Sequence, residues 1–139
     1  MLAIVLVGGF GTRLQPLTNH VPKQMLPICG LPMIEWVALQ LAKHGVSEMG
    51  LALGYRPDAF LNAYPGGTIA GLPYRVAVEP EVLGTAGAIR FALEELDVDE
   101  TVVALNGDVL TDLDITALVT FHQRHEAEGT IAVQNVNDP

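Results

Sequence analysis

Leu2-Ala3-Ile4-Val5-Leu6-Val7-Gly8-Gly9-Phe10-Gly11-Thr12-Arg13-Leu14 is an apolar run that passes directly into a glycine-rich turn. A continuous apolar run of this length is what a central strand of a parallel sheet carries when helices cover both of its faces. Glycines at the end of such a strand let backbone N–H groups approach an anion closely, and Arg13, with Lys23 of the pair Pro22-Lys23, adds two cations. The turn reads as a site for a polyphosphate.

Working outward from that run, strands and helices alternate. Short apolar runs recur at Gly50 to Leu53, Tyr74 to Val78, Val102 to Leu105 and Thr130 to Val133. Between them, Ile34, Val37, Ala38 and Leu41 keep helical spacing after Pro32, with Gly45 placed to stop that helix. Ile89, Leu93 and Leu96 do the same after Thr85, while Ile115, Leu118 and Val119 follow the capping residue Asp114, with Gly129 as the stop. Such alternation predicts an α/β fold on a mostly parallel sheet. Gly8 to about Leu31 has no clear period, but Pro16, Pro22 and Pro27, with Pro32 at its end, argue for a fixed path rather than disorder. In open α/β sheets ligands sit beyond the carboxyl ends of the strands, so this loop, Glu79 to Thr85 and the turn Asn106-Gly107-Asp108 are expected to meet at one crevice.

Charge narrows the ligand. The chain carries a net charge of -9, yet residues 1–34 hold two bases and no acid, which makes the N-terminal segment a local positive region. A small anion suits that pattern and nucleic acid does not. With 139 residues and 50% hydrophobic content, one core that buries roughly two-thirds of the unfolded surface is expected. Cys29 is the only cysteine, so an intrachain disulfide is excluded, and it reads as a small buried hydrophobe. No run approaches the roughly 20 apolar residues of a membrane span, and a cytoplasmic protein is the expectation.

Two familiar phosphate motifs do not fit. The third position of a dinucleotide fingerprint is Leu14 rather than glycine, and Glu35 falls in a helix instead of ending a second strand. A dinucleotide-dependent oxidoreductase is therefore disfavoured. No Gly-Lys-Ser/Thr follows at P-loop spacing.

What remains is a set of motifs in order along the chain. Gly8-Gly9-Phe10-Gly11-Thr12-Arg13-Leu14-Gln15-Pro16-Leu17-Thr18 is followed by Pro22-Lys23-Gln24-Met25-Leu26-Pro27, then by Glu79-Pro80-Glu81-Val82-Leu83-Gly84-Thr85-Ala86-Gly87-Ala88 and Asn106-Gly107-Asp108-Val109-Leu110. Together they resemble the signature of the sugar-1-phosphate nucleotidyltransferases, the nucleotide-sugar pyrophosphorylases, in their guanylyltransferase form. The resemblance implies a Rossmann-like three-layer α/β/α domain over residues 1–139, of the nucleotide-diphospho-sugar transferase type and incomplete at its C-terminus. It implies attack of a sugar 1-phosphate on the α-phosphorus of a nucleoside triphosphate, with Mg²⁺ as cofactor, a homo-oligomer or a partner chain supplying the sugar-binding half, and no membrane. By the family's pattern Arg13 holds the leaving phosphates, Lys23 contacts the reacting centre, and Gly8, Gly9, Gly11 and Thr12 offer backbone contacts to base and phosphate. Gly84 and Thr85 belong to the nucleotide site, and Asp108 is the Mg²⁺ ligand.

Elementary chemistry agrees. A phosphate monoester, with its second pKa near about 6, is already anionic at neutral pH and needs no general base. The reaction needs alignment and charge neutralisation instead. An ionised carboxylate only accepts hydrogen bonds, so Glu79, or else Glu81, suits the adjacent N–H donors of guanine better than the edge of uracil or thymine. GTP is the nucleotide this favours, and the resemblance implies mannose 1-phosphate as the other substrate, with uridylyl or thymidylyl transfer and a non-catalytic nucleotide-binding subunit as the competing readings. Gln24 stands where the motif often has proline and Val7 where alanine is frequent. The sequence ends at Asn137-Asp138-Pro139 without the family's later Glu-Lys-Pro segment and second aspartate. His122, His125 and Glu126 read as a solvated helix face, and Trp36 and Phe91 as core.

Overall fold

The computed structural model describes residues 1–9, 11–54 and 57–136; Phe10 and Asn137-Asp138-Pro139 lie outside the described residues. The central sheet holds β1 (Leu2–Leu6), β4 (Glu48–Leu53), β5 (Thr68–Ile69), β6 (Leu72–Val78) and β7 (Val103–Asn106), in the order β5-β6-β4-β1-β7. All neighbours are parallel except the short antiparallel pair β5 and β6. A small hairpin, β2 (Pro27–Ile28) with β3 (Leu31–Pro32), stands apart.

The apolar run at the N-terminus lies inside the sheet because it has two faces to bury. Ala3, Val5 and Val7 face one side, where they meet Ile34, Val37, Ala38 and Leu41 of α1 (Met33–Lys43), Phe60 of α2 (Pro57–Ala63) and Ile115 of α4 (Ile115–His125). Leu2 and Ile4 face the other, against Ala88, Ala92 and Leu96 at the α3 helix (Gly84–Glu95). The period of two in the strand thus places helices on both faces and gives three layers.

The helix ends follow local chemistry. After α1, Gly45 takes φ 79° and donates to Ala42 O at 3.1 Å, while Val46 N reaches Leu41 O at 3.1 Å, the paired bonds of a Schellman stop. Asp114 Oδ1 accepts from Ala117 N at 2.9 Å and caps α4 as its sequence foretold. α4 does not run to Gly129. It closes at Glu126, which takes the left-handed turn (φ 46°), and the returning chain brings Thr130 Oγ1 within 3.0 Å of His122 Nδ1.

Three expectations need correction or addition. Thr130 to Val133 forms no strand: Ile131 and Val133 are 84% and 89% exposed, and no described strand pairs with them, so the apolar alternation has neither ladder nor face to bury. Cys29 is exposed rather than buried, because it forms the tip of the β2-β3 hairpin at φ 50°. Helix α2 and the β5 edge, which carry no clear period, were not foreseen. Trp36 is half-buried, and its indole N–H donates to Ile28 O at 2.8 Å, fastening the hairpin to α1. Phe91 packs half-buried against the second core.

Candidate active site

Strand order reverses at β1: the chain moves outward to β4 and β6 on one side, then returns to β7 on the other. Such a reversal leaves a crevice at the carboxyl ends of the strands. A cleft of about 330 Å³ occupies that position. Its floor comes from Leu6, Gly8 and Gly9 after β1 and Gly54 after β4. Glu79 follows β6, Asn106 and Asp108 come from β7 and its turn, and Gly84 and Thr85 open α3. Lys23 and Gln24 reach in from the proline-rich loop.

That loop is ordered by its own hydrogen bonds. Gly11 takes φ 63° and is followed by a 3₁₀ turn, Thr12–Leu14, closed by Leu14 N to Gly11 O at 3.0 Å. The buried Thr18 hydroxyl donates to the same carbonyl at 2.7 Å. A Cβ on Gly11 would lie 3.0 Å from Thr18 Cγ2 and 3.3 Å from Lys23 Cβ, so glycine here serves both the left-handed backbone and the packing against Lys23. A second 3₁₀ turn, Lys23–Met25, then carries Lys23 to the cleft, with Met25 packed against the core.

Lys23 Nζ forms an ion pair with Asp108 Oδ2, their side chains 26% and 28% exposed. A pair this open to water contributes about 1 kcal/mol or less, so anions and cations of a ligand can take its members apart. Asp108 is presented by the tight turn after β7, where Gly107 N donates to Leu6 O at 2.9 Å. Glu79 is held from both ends of its residue: its N–H donates to Leu53 O at 2.8 Å and its Oε2 accepts from Leu83 N at 3.3 Å. Its Oε1 stands over bare backbone, since a Cβ on Gly8 would lie 3.3 Å from it. Glu79 lines the cleft and Glu81 is exposed outside it.

The structure therefore brings together Gly8, Gly9, Lys23, Glu79, Gly84, Thr85 and Asp108. Gly11, Thr12 and Arg13 sit in the adjoining turn, with Thr12 and Arg13 exposed and outside the cleft lining. Gln24, Gly54 and Asn106 line the cleft without having been singled out as site residues. Gly54 was signalled by its place at the end of an apolar strand, and Gln24 by being a polar residue inside a phosphate motif. As a metal site, Asp108 offers a hard carboxylate oxygen, and among the described residues no group of three or more His, Cys, Asp or Glu is arranged to hold an ion. Mg²⁺ binds through one or two carboxylates plus oxygens of a bound substrate, so the donor chemistry of a single carboxylate such as Asp108 fits that ion.

Comparison with known proteins bears on the family and the fold. The mannose-1-phosphate guanylyltransferase of Mycobacterium tuberculosis is 39% identical over 137 residues, covering 99% of this chain and 38% of the relative. The crystal structure of HddC from Yersinia pseudotuberculosis complexed with GMP-PN superimposes with a TM-score of 0.75 at 28% identity, covering 87% of this chain and 53% of that one. UDP-glucose pyrophosphorylase complexed with UDP-glucose, at 20% identity and a TM-score of 0.72, shares the fold over 90% of this chain and 54% of its own. The chain thus spans about two-fifths of the curated relative and about half of these solved chains. No helix among the described residues is long and apolar enough to cross a membrane. The Nucleotidyl transferase family profile matches residues 2–139, and with it the chain belongs to the nucleotidyl transferase family.

Proposed function

We propose that this chain forms the nucleotide-binding part of a sugar-1-phosphate guanylyltransferase, which joins GTP to mannose 1-phosphate. The observation that carries the reading is the convergence of the Gly8-Gly9 turn, the Lys23 and Asp108 pair and Glu79 in one cleft at the strand reversal. In the reaction a sugar-phosphate oxygen forms a bond to the α-phosphorus of GTP. The bond from that phosphorus to the bridging oxygen breaks, and pyrophosphate leaves with the electron pair. The attacking oxygen is already anionic, so the cleft needs no base and none is assigned.

Each residue then has one task. Gly8 and Gly9 leave backbone open to the nucleotide, and Gly84 and Thr85 place the positive end of α3, a helix of 12 residues, at the same cleft. Lys23 exchanges the Asp108 carboxylate for a phosphate oxygen and holds the two anions in register. Arg13, exposed on the turn beside Gly11 and Thr12, closes on the leaving phosphates. Glu79 Oε1 accepts from the guanine edge. Asp108 would hold Mg²⁺, which neutralises phosphate charge when bound.

The test is pyrophosphate release from GTP and mannose 1-phosphate, run with a panel of the four triphosphates by thermal shift and with Asp108→Ala as control. Stabilisation by GTP above the other bases, and turnover lost in Asp108→Ala, is the expected result. GTP binding without turnover favours a nucleotide-binding element that works with further polypeptide. Indifference to every triphosphate in the presence of Mg²⁺ refutes the reading.

A further inference from the structure

Trp36 and Gln40 stand one turn apart on α1 and share a face of the helix, and His44 continues that row at the helix end. Trp36 and Gln40 each give a side-chain N–H to a backbone carbonyl outside the helix. Trp36 Nε1 donates to Ile28 O at 2.8 Å, and Gln40 Nε2 donates to Leu113 O at 3.1 Å. The two carbonyls are placed alike with respect to the cleft: Ile28 comes five residues after Lys23, and Leu113 five residues after Asp108. One helix thus grips both the arm that carries the cleft ammonium and the arm that carries the cleft carboxylate. His44 Nδ1, 3.0 Å from Thr116 Oγ1, extends the second grip into the start of α4.

Packing leaves the second arm room to move. Residues 109–114 belong to no helix or strand, and Val109, Leu110 and Leu113 are exposed. Between this arm and α1 lies a cavity of about 140 Å³, with Trp36, Val37 and Gln40 on the helix side and Val109, Leu110 and Thr111 on the other. A wall that borders a cavity lacks contact atoms on that side, so a hydrogen bond to the helix has more say in where it stands. The Lys23 arm is tied to α1 by the Trp36 bond and by Met33 N, which donates to Leu26 O at 3.1 Å. The ion pair of Lys23 with Asp108 cannot keep the two arms in register once a ligand has drawn its members apart. Something outside the cleft must then hold them, and α1 touches both.

We infer that Trp36 and Gln40 are positioning residues, which together set the spacing of Lys23 and Asp108 after a ligand has separated that pair. The inference rests on the cleft binding GTP with Mg²⁺, and the experiment tells the two apart. Affinity of the full chain for GTP is measured by calorimetry in EDTA and across a Mg²⁺ titration. The variants are Trp36→Phe, which keeps an aromatic ring without the N–H, Gln40→Met, which keeps the length without the donor, and Gln40→Lys, which keeps a donor. Trp36→Phe slackens the Lys23 arm and is expected to weaken GTP binding about three- to tenfold with or without the metal, at most the value of one ordinary hydrogen bond. Gln40→Met is expected to leave metal-free binding unchanged and to raise the Mg²⁺ concentration at half-saturation about three- to tenfold. Gln40→Lys should stay within about twofold of the wild type. Ala42→Gly, an exposed change in the same helix that touches neither bond, should lower the melting temperature without moving the Mg²⁺ requirement.

An unchanged Mg²⁺ requirement in Gln40→Met, or unchanged GTP affinity in Trp36→Phe, overturns the inference and leaves the nucleotide reading intact. So does a loss in Ala42→Gly equal to that in Gln40→Met, which would make the effect one of helix stability alone. A loss in Gln40→Met that Gln40→Lys shares also overturns it, because the donor is then not what matters. Should one of the two donor-free variants fail to fold, the other decides. A wild type that binds no triphosphate, or binds it equally with and without Mg²⁺, refutes the underlying reading, and the inference with it.

Discussion

Replacing Gly107 by alanine tests how Asp108 is delivered. Gly107 is buried, and its N–H donates to Leu6 O at 2.9 Å, so the turn after β7 lies against the end of β1. A Cβ there would sit 2.6 Å from Val7 Cγ1, 3.1 Å from Val5 Cγ1 and 3.2 Å from the Leu6 carbonyl oxygen. Val5 and Val7 are 0% and 2% exposed and belong to the main core, so they have nowhere to go. Their β-branched side chains are stiff at χ1 and cannot swing aside as the tip of a longer chain would. The turn must lift instead. Overpacking of this kind costs about 1–3 kcal/mol, and a domain of this size loses about 2–4 °C per kcal/mol, so Gly107→Ala should melt about 2–12 °C below the wild type. Gly129→Ala, whose added Cβ would meet nothing within 4 Å, is the control and should stay within about 1 °C. Thermal unfolding followed by circular dichroism measures both. Combining Gly107→Ala with Val7→Ala should cost less than the sum of the two singles, because the second change removes the atom the first one strikes. If Gly107→Ala melts with the wild type, the turn has room that the geometry denies it, and the argument for how Asp108 is positioned fails.

Two other changes probe the loop and a half-buried phenol. Thr18→Val keeps the side-chain shape but removes the hydroxyl that donates to Gly11 O; urea unfolding should show a loss of about 1 kcal/mol, with weaker triphosphate binding, because the Gly11 turn is no longer tied beside Lys23. Burial, followed by the hydrogen bond it donates to Glu35 Oε1 at 3.0 Å, raises the Tyr64 phenol above its ordinary range. The folded state then keeps a proton that the unfolded chain releases above about pH 10, so stability falls as pH rises through that point, and Tyr64→Phe should show a shallower alkaline decline in its urea midpoint.

Much of the fold was legible because burial leaves a period. The two-sided run Leu2 to Val7, the helical stripe Ile34 to Leu41 and the Asp114 cap each record a local physical demand, and each lies where that demand predicts. Thr130 to Val133 lacks what turns an apolar run into a strand. An apolar run becomes a strand only when a partner offers hydrogen bonds and a face, and neither is visible in the run itself. Cys29 was misjudged for a similar reason: its exposure is set by a hairpin built from prolines and glycine around it, not by its own hydropathy. In the cleft, charged and glycine residues announced themselves through chemistry. The signals at Gln24 and Gly54, a polar residue within a motif and a glycine after an apolar strand, were weaker, since their places in the cleft come from which atoms pack beside them.

The register Leu6 to Asn106 has a consequence for how this protein comes into being. β1 lies inside the sheet, and its partners on either side, β4 and β7, are made after it. Until β7 has been synthesised and has docked, the cleft lacks Asn106 and Asp108 and the apolar β1 has a bare flank. Closing so long a segment loses chain entropy before any contact repays it, so assembly is expected to be slow and late. During that interval the nascent chain depends on shielding from its neighbours in a way the finished fold does not.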